Sequence, residues 1–170
     1  MSGLSRELHY AGARTERVVL LDDSANPIGT ADKSTVHNDS TPLHLAFSCY
    51  LFDPAGNVLL TRRALSKQAW PGVWTNSFCG HPEPGEAVEA AVERRARHEL
   101  GADIRGLRLW DPDFRYRAID PGGVVENEVC PVYGATISGT LSPRPDEVME
   151  WAWVPPASLT HAVLATPFAF

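Results

Sequence analysis

Long apolar runs are missing from this sequence: none approaches the roughly 18 residues that a membrane-spanning helix requires, so a soluble protein with no membrane partner is expected. Cysteine is scarce. Cys49, Cys79 and Cys130 cannot all pair within the chain, and a chain of 170 residues does not need disulfides to fold. Reduced thiols in a cytoplasmic compartment are therefore expected. Positive charge is also in short supply. Fifteen Lys and Arg against 21 Asp and Glu leave a formal net charge of -6, which excludes a protein that grips nucleic acid through bulk positive potential. The N-terminal MSGLSRELHYAGARTER carries charges throughout and has no apolar centre, unlike a secretory signal or an anchor. Residues 1–16 are expected to form a flexible arm. No internal repeat and no dinucleotide-type glycine fingerprint is present, and neither a flavin nor a nicotinamide cofactor is expected.

What is there is the composition of an ordinary globular domain, 44% hydrophobic and 21% charged, and a chain of this size buries about 70% of its unfolded surface. Residues 17–22 and 28–33 read as strands about the turn Ser24-Ala25-Asn26-Pro27, and 43–53 and 58–62 as a hairpin about Pro54-Ala55-Gly56-Asn57. Residues 63–80 read as irregular. Trp70, Pro71, Gly72 and Trp74 make that segment too aromatic to be merely solvated. From Glu86 to Leu100 the stripe Val88, Ala91, Val92, Ala96 and Leu100 predicts a helix that ends at Gly101. Strands are expected at 114–118, 124–137 and 150–154, with a short helix starting near Pro156. Strands outnumber helices, which implies an α+β fold: one domain, residues 17–170, with a mixed sheet packed between helices.

Eight of the basic residues fall in three runs: Arg62, Arg63 and Lys67; Arg94, Arg95 and Arg97; Arg115 and Arg117. Should the runs converge, they would suit a phosphate or diphosphate, because Arg offers a planar fork and Lys a compact charge. The competing reading makes Arg94 to Arg97 the wet face of the helix. Candidate metal ligands are His37, His44, His81, Glu126 and Glu128. Period-2 alternation puts Glu126 and Glu128 on one face of a strand, and imidazole plus carboxylate suits zinc, manganese or iron. Without a compact spacing signature, one shared site and separate hydrogen-bonded roles both stay open.

The segment GHPEPGEAVEAAVERRARHELGA, residues 80–102, resembles the Nudix box, G-x5-E-x7-R-E-U-x-E-E-x-G-U with U apolar. Gly80, Glu86, Arg94, Glu99 and Gly101 match. Arg95 and His98 stand where the box has glutamates, and those glutamates hold the magnesium ions used in hydrolysis, so the resemblance argues against a Nudix pyrophosphohydrolase. ADKSTVH (31–37), TPLHLAFS (41–48), TRRALSKQAWPGVWTNSFCGHP (61–82), DFRYRA (113–118) and ENEVCPVY (126–133) resemble the type 1 isopentenyl-diphosphate Δ-isomerases, which have a Nudix-like fold. The likeness runs through residues 17–168.

This resemblance implies a particular chemistry. Isopentenyl and dimethylallyl diphosphate, the isoprenoid building blocks, would be interconverted by Cys79 and Glu128, with Tyr116 sharing the proton of Glu128. By the same resemblance His37, His44, His81, Glu126 and Glu128 ligate one manganese, zinc or iron ion. Glu99 and the carbonyl of Cys79 hold magnesium, and Lys33, Arg63, Lys67 and Arg95 hold the diphosphate. Trp74, with Trp70, walls the hydrocarbon pocket. The partner is thus a small prenyl diphosphate, and the protein a monomer or homodimer. One departure stands out. Family members continue through a Ser-Pro-Trp turn into a C-terminal helix, whereas this sequence stops at Phe170. A shortened chain, partial replacement of that wall by Phe168 and Phe170, and an absent lid with impaired turnover are the alternatives; a truncated, inactive prenyl-diphosphate binder is a separate competing reading of the function.

Overall fold

A computed structural model describes residues 16–166 of the chain. Two sheets are built from twelve strands. Strands β1 (Arg17–Leu21), β2 (Pro27–Asp32), β3 (His44–Leu45), β9 (Arg115–Ile119) and β10 (Val125–Val129) form a five-stranded sheet in the order β2-β1-β3-β10-β9. A second sheet has the order β12-β5-β4-β11-β8, from β4 (Phe47–Phe52), β5 (Val58–Arg63), β8 (Asp103–Asp111), β11 (Val132–Ser138) and β12 (Val148–Val154). Two short strands hang on it, β6 (Trp74–Thr75) beside β5 and β7 (Phe78–Gly80) beside β4. The helices are α1 (Lys33–Val36), α2 (Val88–Leu100) and α3 (Pro156–Ala165).

The expected mixed sheet is thus divided in two, and the division has a local cause. Residues 124–137, expected as one strand, break at Cys130-Pro131. Pro131 has no N–H for a ladder. Cys130 N–H donates to Phe114 O at 2.9 Å in the first sheet, while Pro131 O accepts from Ser48 N–H at 3.1 Å in the second. Alongside, the chain crosses sheets again at Ala46, between β3 and β4. The two crossing segments run parallel, β10 beside β3 and β11 beside β4. This places the ends of both sheets around one shared space.

Helix α2 begins at Val88 rather than Glu86, because Gly85 (φ 81°) and the preceding turn are not helical. Ala91, Val92, Ala96 and Leu100 of the expected stripe are fully buried against Phe47, Phe78, Leu51 and Ile137, and burying Leu100 alone is worth about 1.5 to 3 kcal/mol. Gly101 ends the helix in the left-handed region (φ 60°), its N–H reaching Arg97 O. Strand β8 has no counterpart in the sequence reading: it is mostly exposed, interrupted by Gly106 (φ 64°), and lacks clean alternation. Among the described residues no helix is long and apolar enough to cross a membrane.

Candidate active site

Between the two sheets lies a cavity of about 590 Å³. Its lining joins residues far apart in sequence: Lys33, His37, Arg63, Lys67, Trp70, Trp74, Cys79, His81, Arg95, Glu99, Tyr116, Glu126 and Glu128. Every site residue expected from the sequence is on this wall except His44, which is fully buried behind it. Cys79 comes from β7 in the second sheet, and Glu128 from β10 in the first. The two groups expected to exchange protons with substrate therefore enter one cavity from different sheets.

The three imidazoles and Glu128 converge because of strand register. Glu128 is the direct partner of His44 across the parallel β3–β10 pair and of Tyr116 across β9–β10. Its Oε1 lies 3.5 Å from His44 Nε2 and 3.3 Å from His81 Nε2, and those two nitrogens are 3.2 Å apart. His37, at the end of α1, completes a group of four whose ligand atoms all lie within 4.8 Å of one another. Glu126 Oε2 is 3.5 Å from His37 Nε2. Three buried atoms here, His37 Nε2, His81 Nδ1 and Glu126 Oε2, have no hydrogen-bond partner among the described residues. Buried polar atoms are rarely left so. A set of imidazole nitrogens and carboxylate oxygens with unspent lone pairs fits a divalent ion. His44 is oriented for this, with Nδ1 bonded to Pro42 O at 2.9 Å and Nε2 turned inward.

The protonation states are split by the same crowding. Burial and the His81 and His44 charges push His37 down to about 4. Burial and the Glu128 charge push Glu126 up to about 8. Burial works to raise Glu128, but hydrogen bonds to His44 and His81 hold it well below the usual carboxylate range. Burial pushes the Cys79 thiol up to about 11, against the pull of Arg63, so it is a neutral S–H at neutral pH. Burial and the charge of Glu128 also raise Tyr116.

The basic runs do not converge as whole runs. Only Arg63, Lys67 and Arg95 reach the cavity, joined by Lys33. Arg62 bonds Gly72 O and Glu150, Arg97 pairs with Glu93 and Asp103 on the surface, and Arg115 bonds Asp23 O. Arg94 is spent on structure. It clasps Glu86 at 2.8 and 2.7 Å and His81 O at 3.1 Å, locking the ligand-bearing loop to α2. The cavity cations have internal partners. Lys33 pairs with Glu16 at 2.5 Å, so this last residue of the expected arm is tied to the site. Arg95, 3% exposed, pairs with Glu99 and lies 3.4 Å from Glu147.

The loop 63–74 is fastened at successive residues. Gln68 donates to His37 O at 2.9 Å, Ala69 O accepts two bonds from Arg63, and Trp70 N–H donates to Asp120 Oδ2 at 3.1 Å. Trp70 sits in the left-handed region (φ 52°), an uncommon place for a bulky residue and one typical of functional sites. Sequence reasoning missed Gln68, which lies within the quoted 61–82 segment, and Asp120 and Glu147, which lie outside the quoted segments. Leu159 and Val163 of α3 also line the cavity. Phe168 and Phe170, and arm residues 1–15, lie outside the described residues.

Residues 42–169 match the family model of the NUDIX domain. The fold agrees: the chain superposes on the crystal structure of DR0079 from Deinococcus radiodurans with a TM-score of 0.66 at 22% identity, covering 88% of this chain and 90% of that one. A MutT NUDIX hydrolase from Burkholderia pseudomallei is 27% identical, with a TM-score of 0.53 over 66% of this chain and 82% of that one. Far closer in sequence are isopentenyl-diphosphate Delta-isomerases. The protein of that name from Paenarthrobacter aurescens is 63% identical over 92% of this chain and 85% of its own length, and that from Leifsonia xyli subsp. xyli 62% identical over 91% and 85%. The chain belongs to the isopentenyl-diphosphate Delta-isomerase family of NUDIX-fold proteins.

Proposed function

We propose that this protein is an isomerase that interconverts isopentenyl diphosphate and dimethylallyl diphosphate. The observation that carries this reading is the entry of Cys79 and Glu128 into one cavity from different sheets, beside a cluster of cations. Moving a double bond by one carbon adds a proton to one carbon and takes another from a neighbour, through a tertiary carbocation or a state close to it. An unactivated alkene is a poor base. The reaction needs a proton donor on one side of the substrate, an acceptor on the other, and little water, which would trap the cation as an alcohol.

In this reading Cys79 and Glu128 form that opposed pair. One member of the pair gives the first proton and the other takes the second, and both orders use the same two groups. Tyr116, the strand neighbour of Glu128, shares the proton that Glu128 carries. Trp70, Trp74 and Tyr116 wall off water, and their π faces stabilise developing positive charge by about 2 kcal/mol when desolvated. Lys33, Arg63, Lys67 and Arg95 hold the diphosphate, and Glu99 and the Cys79 carbonyl would hold magnesium, which would supply further positive charge for that anion. His37, His44, His81, Glu126 and Glu128 hold a manganese, zinc or iron ion. That ion, when bound, supplies the positive charge that tunes the acidity of the Glu128 carboxyl. Hydrolysis is disfavoured because Arg95 and His98 replace two box carboxylates. Three free cysteines favour a cytoplasmic protein, taken as a monomer or homodimer, and an electron-neutral reaction calls for neither flavin nor nicotinamide.

The test is incubation of purified protein with isopentenyl diphosphate, magnesium and zinc or manganese in deuterated water. Dimethylallyl diphosphate carrying deuterium is expected. Free phosphate would instead establish a hydrolase, and binding without exchange an inactive binder.

A further inference from the structure

Glu147 has no part in the chemistry described above and is not on the cavity wall, yet it sits directly behind two of the cations that are. It sits one residue ahead of β12, with a side chain only 11% exposed. Its Oε2 is ion-paired with Lys67, and its Oε1 lies 3.4 Å from both Arg95 Nη2 and His98 Nε2. The main chain reinforces the link. Glu147 O accepts from Ala64 N–H at 3.0 Å, and Ala64 O accepts from Lys67 N–H at 3.1 Å. The turn that carries Lys67 is therefore fastened to Glu147 through both its backbone and its ammonium group.

Two cations that must grip the same anion repel each other until the anion arrives. A lysine on a mobile four-carbon stem relieves that repulsion by swinging into solvent, which costs binding when it must be gathered back. A carboxylate between the two cations prevents this. One bond to Glu147 uses one of the three ammonium donors of Lys67 and leaves the others for phosphate oxygens. Arg95 is already held by Glu99, so Glu99, Arg95, Glu147 and Lys67 form a chain of alternating charge, with Glu147 behind the wall that the other three line.

We propose that Glu147 is a positioning residue for diphosphate recognition, holding Lys67 and Arg95 poised to close on one diphosphate group. The proposal rests on the functional reading above, in which those two cations bind the substrate's diphosphate. A residue that acts this way changes binding and leaves the proton transfers alone.

The experiment compares wild type, Glu147→Asp and Glu147→Gln. It measures KM and kcat for isopentenyl diphosphate and, separately, the calorimetric affinity for inorganic diphosphate with magnesium. Loss of one charge-assisted contact predicts for Glu147→Gln a rise of about tenfold in KM and in the dissociation constant of inorganic diphosphate. The kcat should stay within about twofold of wild type. Glu147→Asp should be intermediate, and it serves alone if Glu147→Gln does not fold. Unchanged affinities, a fall in kcat at constant KM, or tighter diphosphate binding would each overturn the proposal, the last by making Glu147 a competitor of the substrate. If wild type binds inorganic diphosphate but makes no dimethylallyl diphosphate, the isomerase reading fails, while the affinity series still decides the role of Glu147.

Discussion

Glu128 and His44 are register partners on adjacent parallel strands, and that pairing brings the Glu128 Oε1 atom to 3.5 Å from His44 Nε2 at the floor of the cavity. On its other side Glu128 pairs with Tyr116. One carboxylate thus belongs both to the ligand cluster and to the reaction space, and substitutions here separate into clear classes.

Cys79→Ala and Glu128→Gln should each lower isomerisation at least about a hundredfold, the contribution of a positioned acid or base. Both are near-isosteric, so circular dichroism and gel filtration should match wild type. Retained turnover in either variant would remove that residue from the proton-transfer pair.

Chelation should destabilise the protein as well as silence it. Ligand bound to the native state at a hundred times its dissociation constant adds about 2.7 kcal/mol. Dialysis against a strong chelator should therefore lower Tm by several degrees, and zinc or manganese should restore it. His44→Ala, which deletes a fully buried ligand, should abolish the metal-dependent part of Tm; an undiminished metal response would place the ion elsewhere.

Arg95→Gln should be costly on two counts. It leaves Glu99 and Glu147 facing each other with one cation fewer, and removing one partner of a buried pair costs about 3 to 5 kcal/mol. It should also raise KM for the diphosphate substrate. Urea unfolding reads the first effect and steady-state kinetics the second, and an unchanged KM would take Arg95 out of the diphosphate site.

Gly80 approaches α2 closely. A Cβ there would stand 2.9 Å from Arg95 Cγ and 3.2 Å from Phe47 Cζ. Gly80→Ala should therefore destabilise by about 1 to 3 kcal/mol, the usual cost of overpacking, and displace Arg95. A loss of stability in urea with a parallel rise in KM is expected, whereas wild-type values for both would show that the site yields freely.

Acid should loosen the anion end of the cavity. Burial works to raise Glu147, but the hydrogen bond from Lys67 and the charge of Arg95 outweigh it and hold the carboxyl below its ordinary value. The unfolded state therefore takes up a proton first as pH falls. The stabilisation is complete above the unfolded value of about 4.3 and is lost as pH falls through the lower folded value. The stability gap between wild type and Glu147→Gln should be largest near neutrality and shrink below about pH 4; a gap that stays constant with pH would show that Glu147 is not the group titrating.

Local geometry made parts of the fold legible, while the ligand set and the proton-transfer pair were legible through the resemblance of short motifs to a known family. The stripe from Val88 to Leu100 and the glycine after it specify α2, and period-2 alternation puts Glu126 and Glu128 on the same side of β10. The strand break at Cys130-Pro131 was available in principle, since proline cannot donate to a ladder, but nothing nearby says that the chain re-enters a different sheet there. Strand β8 lacks periodicity because most of it faces solvent. The basic runs misled as runs: charge density along a chain does not reveal which side chains point inward, and Arg94 and Arg97 are used elsewhere.

By itself the sequence determined which groups are present for chemistry: a thiol, paired strand carboxylates, three histidines and an arginine in place of a box glutamate. Those are properties of residue type and local spacing. Only the tertiary structure decided that Cys79 and Glu128 share a cavity, that Arg95 rather than Arg94 faces it, and that Glu147 ties Lys67 to Arg95. These relationships join residues dozens of positions apart, and they come into being only when two sheets close over one another and burial forces each charged group to find a partner.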